Sequence, residues 1–570
     1  MNLNEILGAI MLFGMVAVIF IGFPISFTLL FLALVFGGIG LGWAQTFDLA
    51  YLQIWGTMKD EILPSVPLFI FMGYMTEQAG LMERLFMALR LLLSRLRGAL
   101  YLAVILTATI FAMATGIVGA AVTVLGIMAG PIMIKTGYDS RLSAGAIAAG
   151  GTLGVLIPPS VMLVVMGPTM GVPVNQLYSA AFGPGFLLAG MYIAYCLTRS
   201  FINPALGPPV PPEERIAALE AVKTAVVPRP VWVLGLVSLV VMSPILASLA
   251  ISVVEMVVGL FFTVPETPKV IVGVIGAALA LFGAVQYLRA PFFRSVIIGI
   301  APLAALIFFT LGTILAGLAT PTEAASCGAF GATFLAMVYG KLTLGGLNKS
   351  VFGISTSIAA IVGYFIGHHF IDVGPSALGA GGIFGALCLG LIPAFLYSPP
   401  LRNAGMGTMV TSAMVLLLAV ASNVFGAVFT KLGTAGVITN GLIAMPLGDM
   451  MKLALIMVII FILGWPFEWP AIILVFLPIF LPVVEKLKVH GLSKLDLLIW
   501  FGALVAVNLQ TAFLSPPVAM SAYYLRNVVP QWSLATIYRG MADYMVIQCI
   551  ALAGLFFFPD ISLWLVRVLK

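Results

Sequence analysis

Apolar runs follow one another along almost the whole chain, parted by short polar turns. About sixteen can be traced, some too short to cross a bilayer alone; a crossing helix needs roughly 20 mostly apolar residues. The first covers residues 6–41, with a predicted break at Gly22-Phe23-Pro24. It is too long for a signal peptide and lacks a basic leader, so it reads as a retained transmembrane segment. Residues 63–80 follow, then an amphipathic stretch with Arg84, Arg90, Arg95 and Arg97, then 100–113 and 119–134. Two half-segments meet at Pro158-Pro159, and 176–198 closes the first half. Residues 203–230 are proline-rich, hold Glu213, Glu214, Arg215 and Lys223, and read as an exposed linker. Arg199, Arg215, Lys223 and Arg229 favour its placement on the cytoplasmic side. The second half runs through 231–250, 270–287, 296–318, 324–339, 351–370, 378–397 and 408–429. It ends with 452–464, 471–484, 497–513 and 532–558.

Two passages in this pattern echo each other. Gly151-Thr152-Leu153-Gly154-Val155-Leu156-Ile157-Pro158-Pro159-Ser160 and Asn508-Leu509-Gln510-Thr511-Ala512-Phe513-Leu514-Ser515-Pro516-Pro517-Val518 each set a Pro-Pro pair beside a hydroxyl in apolar sequence. Proline lacks an amide hydrogen and clashes with the preceding turn, so each pair must break a helix. The freed carbonyls are tolerated only inside protein or beside a watery cavity. Broken helices at matching places in two halves point to a transporter's binding site. Upstream, Gly130-Pro131-Ile132 and Leu477-Pro478-Ile479 echo as well, each followed by a charged turn. The expected fold is an all-α polytopic membrane protein of two related halves. Each half carries a re-entrant helical hairpin, near 140–168 and near 495–525. Inverted orientation is the commoner arrangement of such repeats, and the sequence alone does not show it.

Composition points to the same solvent. Of 570 residues, 62% are hydrophobic and 8% charged, against about 25% charged in a soluble domain. Mean hydropathy is +1.19. The net charge of +6 is what positive-inside loops produce and argues for no nucleic-acid partner. Cys196, Cys327, Cys388 and Cys549 show neither CxxC spacing nor a disulfide framework and read as packing residues.

Broken helices offer carbonyl oxygens, to which Thr115, Thr152, Ser160, Thr511 and Ser515 can add hydroxyls. Oxygen ligands without a carboxylate cluster suit a monovalent cation such as sodium, and suit neither zinc nor calcium. The opposing half-helix N-termini suit a substrate carboxylate. Cation-coupled uptake of an anion follows. Other polar residues have competing readings. Glu323, in Thr320-Pro321-Thr322-Glu323, is a proton or substrate site or the cap of a helix start. His368-His369 point about 100° apart on a helix, with no acid or cysteine cluster nearby, and read as interfacial. Glu468, between Trp465 and Trp469, reads equally as interfacial or core. No HExxH or GxSxG motif supports an enzyme.

Several runs together resemble the large membrane subunit (DctM-type, M subunit) of tripartite ATP-independent periplasmic (TRAP) transporters. They are Pro67 to Gly73 with Gly80-Leu81, Gly137-Tyr138-Asp139, Gly151 to Ser160, Ala319 to Ala325, and Asn508 to Pro517. The resemblance implies a sodium-coupled secondary transporter of elevator type in the bacterial inner membrane, with sodium as coupling ion and no other cofactor. It implies a small organic anion, carboxylate or sulfonate, delivered by a periplasmic substrate-binding protein, and a small membrane subunit as partner. A self-sufficient proton- or sodium-coupled dicarboxylate carrier or exporter, needing no binding protein, is the alternative.

Carried over, the family's Ser-Gly-Ser segment falls on Thr115-Gly116-Ile117, losing its second hydroxyl; Thr123 or Thr152 could replace it, or the stoichiometry differs. Sodium would also meet Gly154, Ile157 and Pro159 in the first half, and Gly464, Ala512, Ser515 and Val518 in the second. Substrate contacts would fall on Thr152, Pro158, Ser160, Asn508, Pro516 and Pro517. The implied layout is scaffold helices and amphipathic arm at 1–98, a first transport half at 99–200 and the linker at 201–230. Scaffold at 291–350 and 401–450 and a second transport half at 451–570 complete it. Extra helix pairs at 231–290 and 351–400 would enlarge the scaffold. No arginine beside either Pro-Pro pair reveals the substrate.

Overall fold

The computed structural model describes residues 2–94, 96–116, 118–209, 291–339, 398–516 and 519–569. The extra helix pairs, most of the linker, His368-His369, Cys388, Ile117, Pro517 and Val518 lie outside the described residues. What is described is helical, and six of its helices are long and apolar enough to cross a membrane. Helix α1 (Leu3–Ile21) ends at Gly22, whose φ of +102° only glycine adopts freely, and α2 (Ile25–Gly40) starts after Pro24. The predicted break is there. Helices α3 (Trp43–Met58) and α4 (Ser65–Gln78) follow. The amphipathic arm is α5 (Leu81–Leu93).

Next come α6 (Ala99–Thr115), α7 (Val118–Lys135), α8 (Ser140–Leu156), α9 (Val161–Met170) and α10 (Val174–Ile202). Helices α11 (Pro291–Ile307), α12 (Pro321–Val338), α13 (Pro399–Lys431) and α14 (Thr434–Ala444) lead into the last block. That block is α15 (Asp449–Leu463), α16 (Trp469–Val484), α17 (Lys494–Ala512), α18 (Met520–Val528), α19 (Leu534–Phe557) and α20 (Asp560–Val568). Capping starts both helices that run into the prolines. The Asp139 carboxylate accepts the Leu142 amide at 2.7 Å, and the Ser493 hydroxyl accepts the Asp496 amide at 3.2 Å.

The chain reverses elsewhere than expected. Gly150 of α8 backs onto Ala108, and the neighbouring Gly151 onto Val122. Ala108 and Val122 are therefore level on either side of Gly116, so α6 and α7 run antiparallel. At the open end, the Leu100 amide donates to the Tyr138 hydroxyl at 3.3 Å. Likewise α15 and α16 form a hairpin turned by Gly464 to Glu468, closed where the Lys488 amide donates to Asp449 at 2.9 Å. The hairpins expected near 140–168 and 495–525 are corrected accordingly. Helices α8 and α9 differ in direction by 40°, a bend. Helix α18 packs on α7, α8 and α19 and does not turn back along α17. The physical reason is that proline removes a ladder bond without setting the direction of the next segment. Reversal at Gly116 uses a φ of +61°.

The two blocks contact each other reciprocally. Helix α8 lies along α19 as α17 lies along α10, and α7 meets α18 as α9 meets α16. Close approach needs small residues: a Cβ added at Gly145 would stand 2.7 Å from the Gly540 carbonyl. A second body forms where α4 packs on α12 and α13, and α13 on α2 and α3. The start of the predicted linker is pinned, because the Leu206 carbonyl accepts from the Tyr101 hydroxyl at 2.6 Å and the Asp139 amide at 3.1 Å. Cys196 is buried, whereas Cys327 and Cys549 are exposed, so packing explains only the first.

Candidate functional site

Each hairpin tip touches one Pro-Pro break. A Cβ added at Gly116 would stand 3.2 Å from the Pro159 carbonyl oxygen and 3.5 Å from the Val161 amide. One added at Gly464 would stand 3.0 Å from the Ala512 methyl. The prolines act on carbonyls four residues back, which in a helix would accept the missing amide hydrogens. Pro158 and Pro159 thus release Gly154 and Val155, and Pro516 releases Ala512. The Val155 oxygen is recovered by the Ser160 hydroxyl. Gly154 and Ala512 are left as acceptors at matching positions of the echo.

Of the expected sodium ligands, the structure brings Pro159 to the Gly116 turn that follows Thr115, and Gly464 to Ala512; Gly154 and Ile157 lie in the last turn and at the C-cap of α8. The Ser515 hydroxyl donates to the Thr511 carbonyl at 2.8 Å and lies 3.1 Å from the Met545 sulfur. Its lone pairs remain for a ligand. This set, freed carbonyls plus a hydroxyl that already donates its hydrogen, fits a monovalent cation. Of the expected substrate contacts, Thr152 and Asn508 are buried and hydrogen-bonded within the protein. Thr152 donates to the Ala149 carbonyl at 2.8 Å and accepts from Gln510 at 3.0 Å. The Asn508 amide donates to the Met457 carbonyl at 2.7 Å, tying α17 to α15. Pro158 and Ser160 are buried as well, while Pro516 is exposed.

A sequence model of the family described as the tripartite ATP-independent periplasmic transporter, DctM component, matches residues 12–290 and 286–561. The chain belongs to this family. Its members are transporter permease subunits, and the enzyme reading is closed. The chain is similar to SiaM, the sialic acid TRAP transporter large permease of Vibrio cholerae, with 23% identity over 565 residues, 97% of each chain. It is 25% identical to the isethionate TRAP permease DctMQ of Oleidesulfovibrio alaskensis over 464 residues, 81% of this chain and 52% of that one. The C4-dicarboxylate large permease DctM of Pseudomonas aeruginosa is 31% identical over 157 residues, 27% of this chain and 37% of its own. Among solved structures, the YdaH transporter of Alcanivorax borkumensis aligns over 95% of this chain and 98% of its own. Its TM-score is 0.48 and its identity 14%, too low to establish a shared fold.

In this TRAP permease the second body supplies residues that the sequence patterns did not single out. A cavity of about 270 Å³ separates Thr57, Asp60 and Asn423 from Val164 and Thr169 of α9 and Leu474 of α16. Asn423 donates to the Thr57 hydroxyl at 2.9 Å. A second cavity of about 340 Å³ shares Ile62 with it and reaches Asn175, Thr320 and Glu323. Asparagine at 423, inside the apolar run 408–429, was the available signal. Glu323 closes a capping box: its carboxylate accepts from the Thr320 amide at 2.8 Å and hydroxyl at 2.9 Å. The cap reading stands. Glu468 is half-buried at the start of α16, near Tyr524, whose ring covers Gly119 next to the first tip.

Proposed function

We propose that the chain is the large permease of a sodium-coupled importer of a small organic anion, carboxylate or sulfonate. A periplasmic substrate-binding protein delivers the substrate, and a small membrane subunit completes the assembly in the bacterial inner membrane. Family membership and relatives named for sialic acid, isethionate and C4-dicarboxylates support the substrate class. The observation that carries the ion reading is that each hairpin tip meets one Pro-Pro break, Gly116 at the Pro159 carbonyl and Gly464 at Ala512. The starts of α9 and α18 carry partial positive charge that suits the anion. Reciprocal packing of α6–α10 with α15–α19 supports two inverted halves, and these helices would slide as one elevator body against α1–α4 and α12–α14. The cavities lie on that dividing surface. The test is uptake by the reconstituted complex with its binding protein, varying sodium and pH separately. Uptake that rises with sodium at fixed pH is expected; uptake indifferent to sodium would contradict the reading.

A further inference from the structure

Aligning Pro158-Pro159 with Pro516-Pro517 shifts the numbering by 358 residues, and the same shift carries Thr152 onto Gln510. These two side chains bond directly: the Gln510 amide donates to the Thr152 hydroxyl at 3.0 Å. A bond between equivalent residues marks the place where a two-fold axis relates two units. Here it joins α8 to α17 in the buried interior. Both residues are fully buried, at 0% exposure. The shift also carries Gly154 onto Ala512, so the bond lies two residues upstream of each freed carbonyl.

We infer that Thr152 and Gln510 are a positioning pair that couples the two cation sites, so that occupancy of one favours occupancy of the other. The inference rests on the sodium reading above. Water has no access to replace the bond, and buried polar bonds are stronger and costlier to break than exposed ones. The surroundings add to the stakes. The side-chain oxygen of Gln510 is buried without a hydrogen-bond partner among the described residues. Tyr192 stands beside both Thr152 and Gln548. A displacement of the end of α8 when Gly154 meets a cation therefore moves Thr152, and through Gln510 the end of α17. Coupling between sites is reciprocal and is typically about 5- to 150-fold in affinity.

The test measures sodium dependence of uptake by the full reconstituted complex. Wild type is expected to show a Hill coefficient well above one. T152V and Q510L should each bring it to one and raise half-saturating sodium about fivefold. T152S, which keeps the hydroxyl, should behave as wild type, and T152V/Q510L should be no worse than either single variant. Melting temperature, measured in parallel, separates coupling from folding. If both variants melt earlier but keep the wild-type Hill coefficient, the pair is only structural and the inference is overturned. A wild-type coefficient of one with sodium-dependent uptake overturns it too, leaving sodium coupling intact. Sodium-independent wild-type uptake overturns both.

Discussion

The two tip-and-break pairs use the same covalent device and close in different ways. In the first, Gly116 turns the chain at a φ of +61° and lies against backbone, facing the Pro159 carbonyl and the Val161 amide. The break beside it is buried, with the Ser160 hydroxyl satisfying Val155. In the second, Gly464 keeps an ordinary helical φ of −63° and meets the Ala512 methyl across the site, besides the Phe461 and Ile460 carbonyls of its own helix end. Pro516 is exposed there, and Ser515 bonds backward to Thr511. A proline pair thus decides which carbonyls are freed, and the opposing tip decides how tightly they are framed. From the opposing segment the first tip meets backbone, which yields little; the second meets a side-chain methyl, which can be removed.

Substitutions at the tips test this contrast. The largest effect is expected from G116A. It forces a left-handed conformation that costs about 1–2 kcal/mol and pushes on a backbone oxygen, so uptake should fall more than about tenfold. Uptake close to wild type would show that the first frame is loose. S160A comes next: it strips the Val155 carbonyl of its donor at a cost of about 1–3 kcal/mol, read as a lower melting temperature together with weaker uptake. A variant with both unchanged would remove Ser160 from the account. The smallest effect is expected from G464A, a loss of a few-fold that A512G should restore, because A512G removes the opposing methyl. If A512G gave no rescue, the two frames would not differ as described.

Much of this was legible in the sequence because proline and glycine act locally. The break at Gly22-Pro24, the matched Pro-Pro pairs and the Thr320–Glu323 cap follow from backbone chemistry within a few residues. The direction of the chain after a break does not. Proline at 158 announces a missing hydrogen bond, and only packing fixes the 40° bend that follows. The true hairpin had a weaker sign, a single Gly116 between the two apolar runs at 100–113 and 119–134. Thr152 looked like a free hydroxyl because its partner is 358 residues away. Asn423 and Asp60 meet α9 across a cavity that no spacing rule connects. Nor does any spacing rule show that the Asn508 amide bonds to the Met457 carbonyl.

The central claim is that each Pro-Pro break, framed by a hairpin tip, holds a sodium ion. The most direct measurement is the melting temperature of the purified complex in sodium and in potassium at equal ionic strength. Binding to the folded state alone stabilises it by about 2.7 kcal/mol at a hundred times the dissociation constant. The account predicts a higher melting temperature in sodium, with part of the increment lost in S515A, which removes the hydroxyl proposed as a ligand. Equal melting temperatures in the two salts, for wild type and S515A alike, would contradict it.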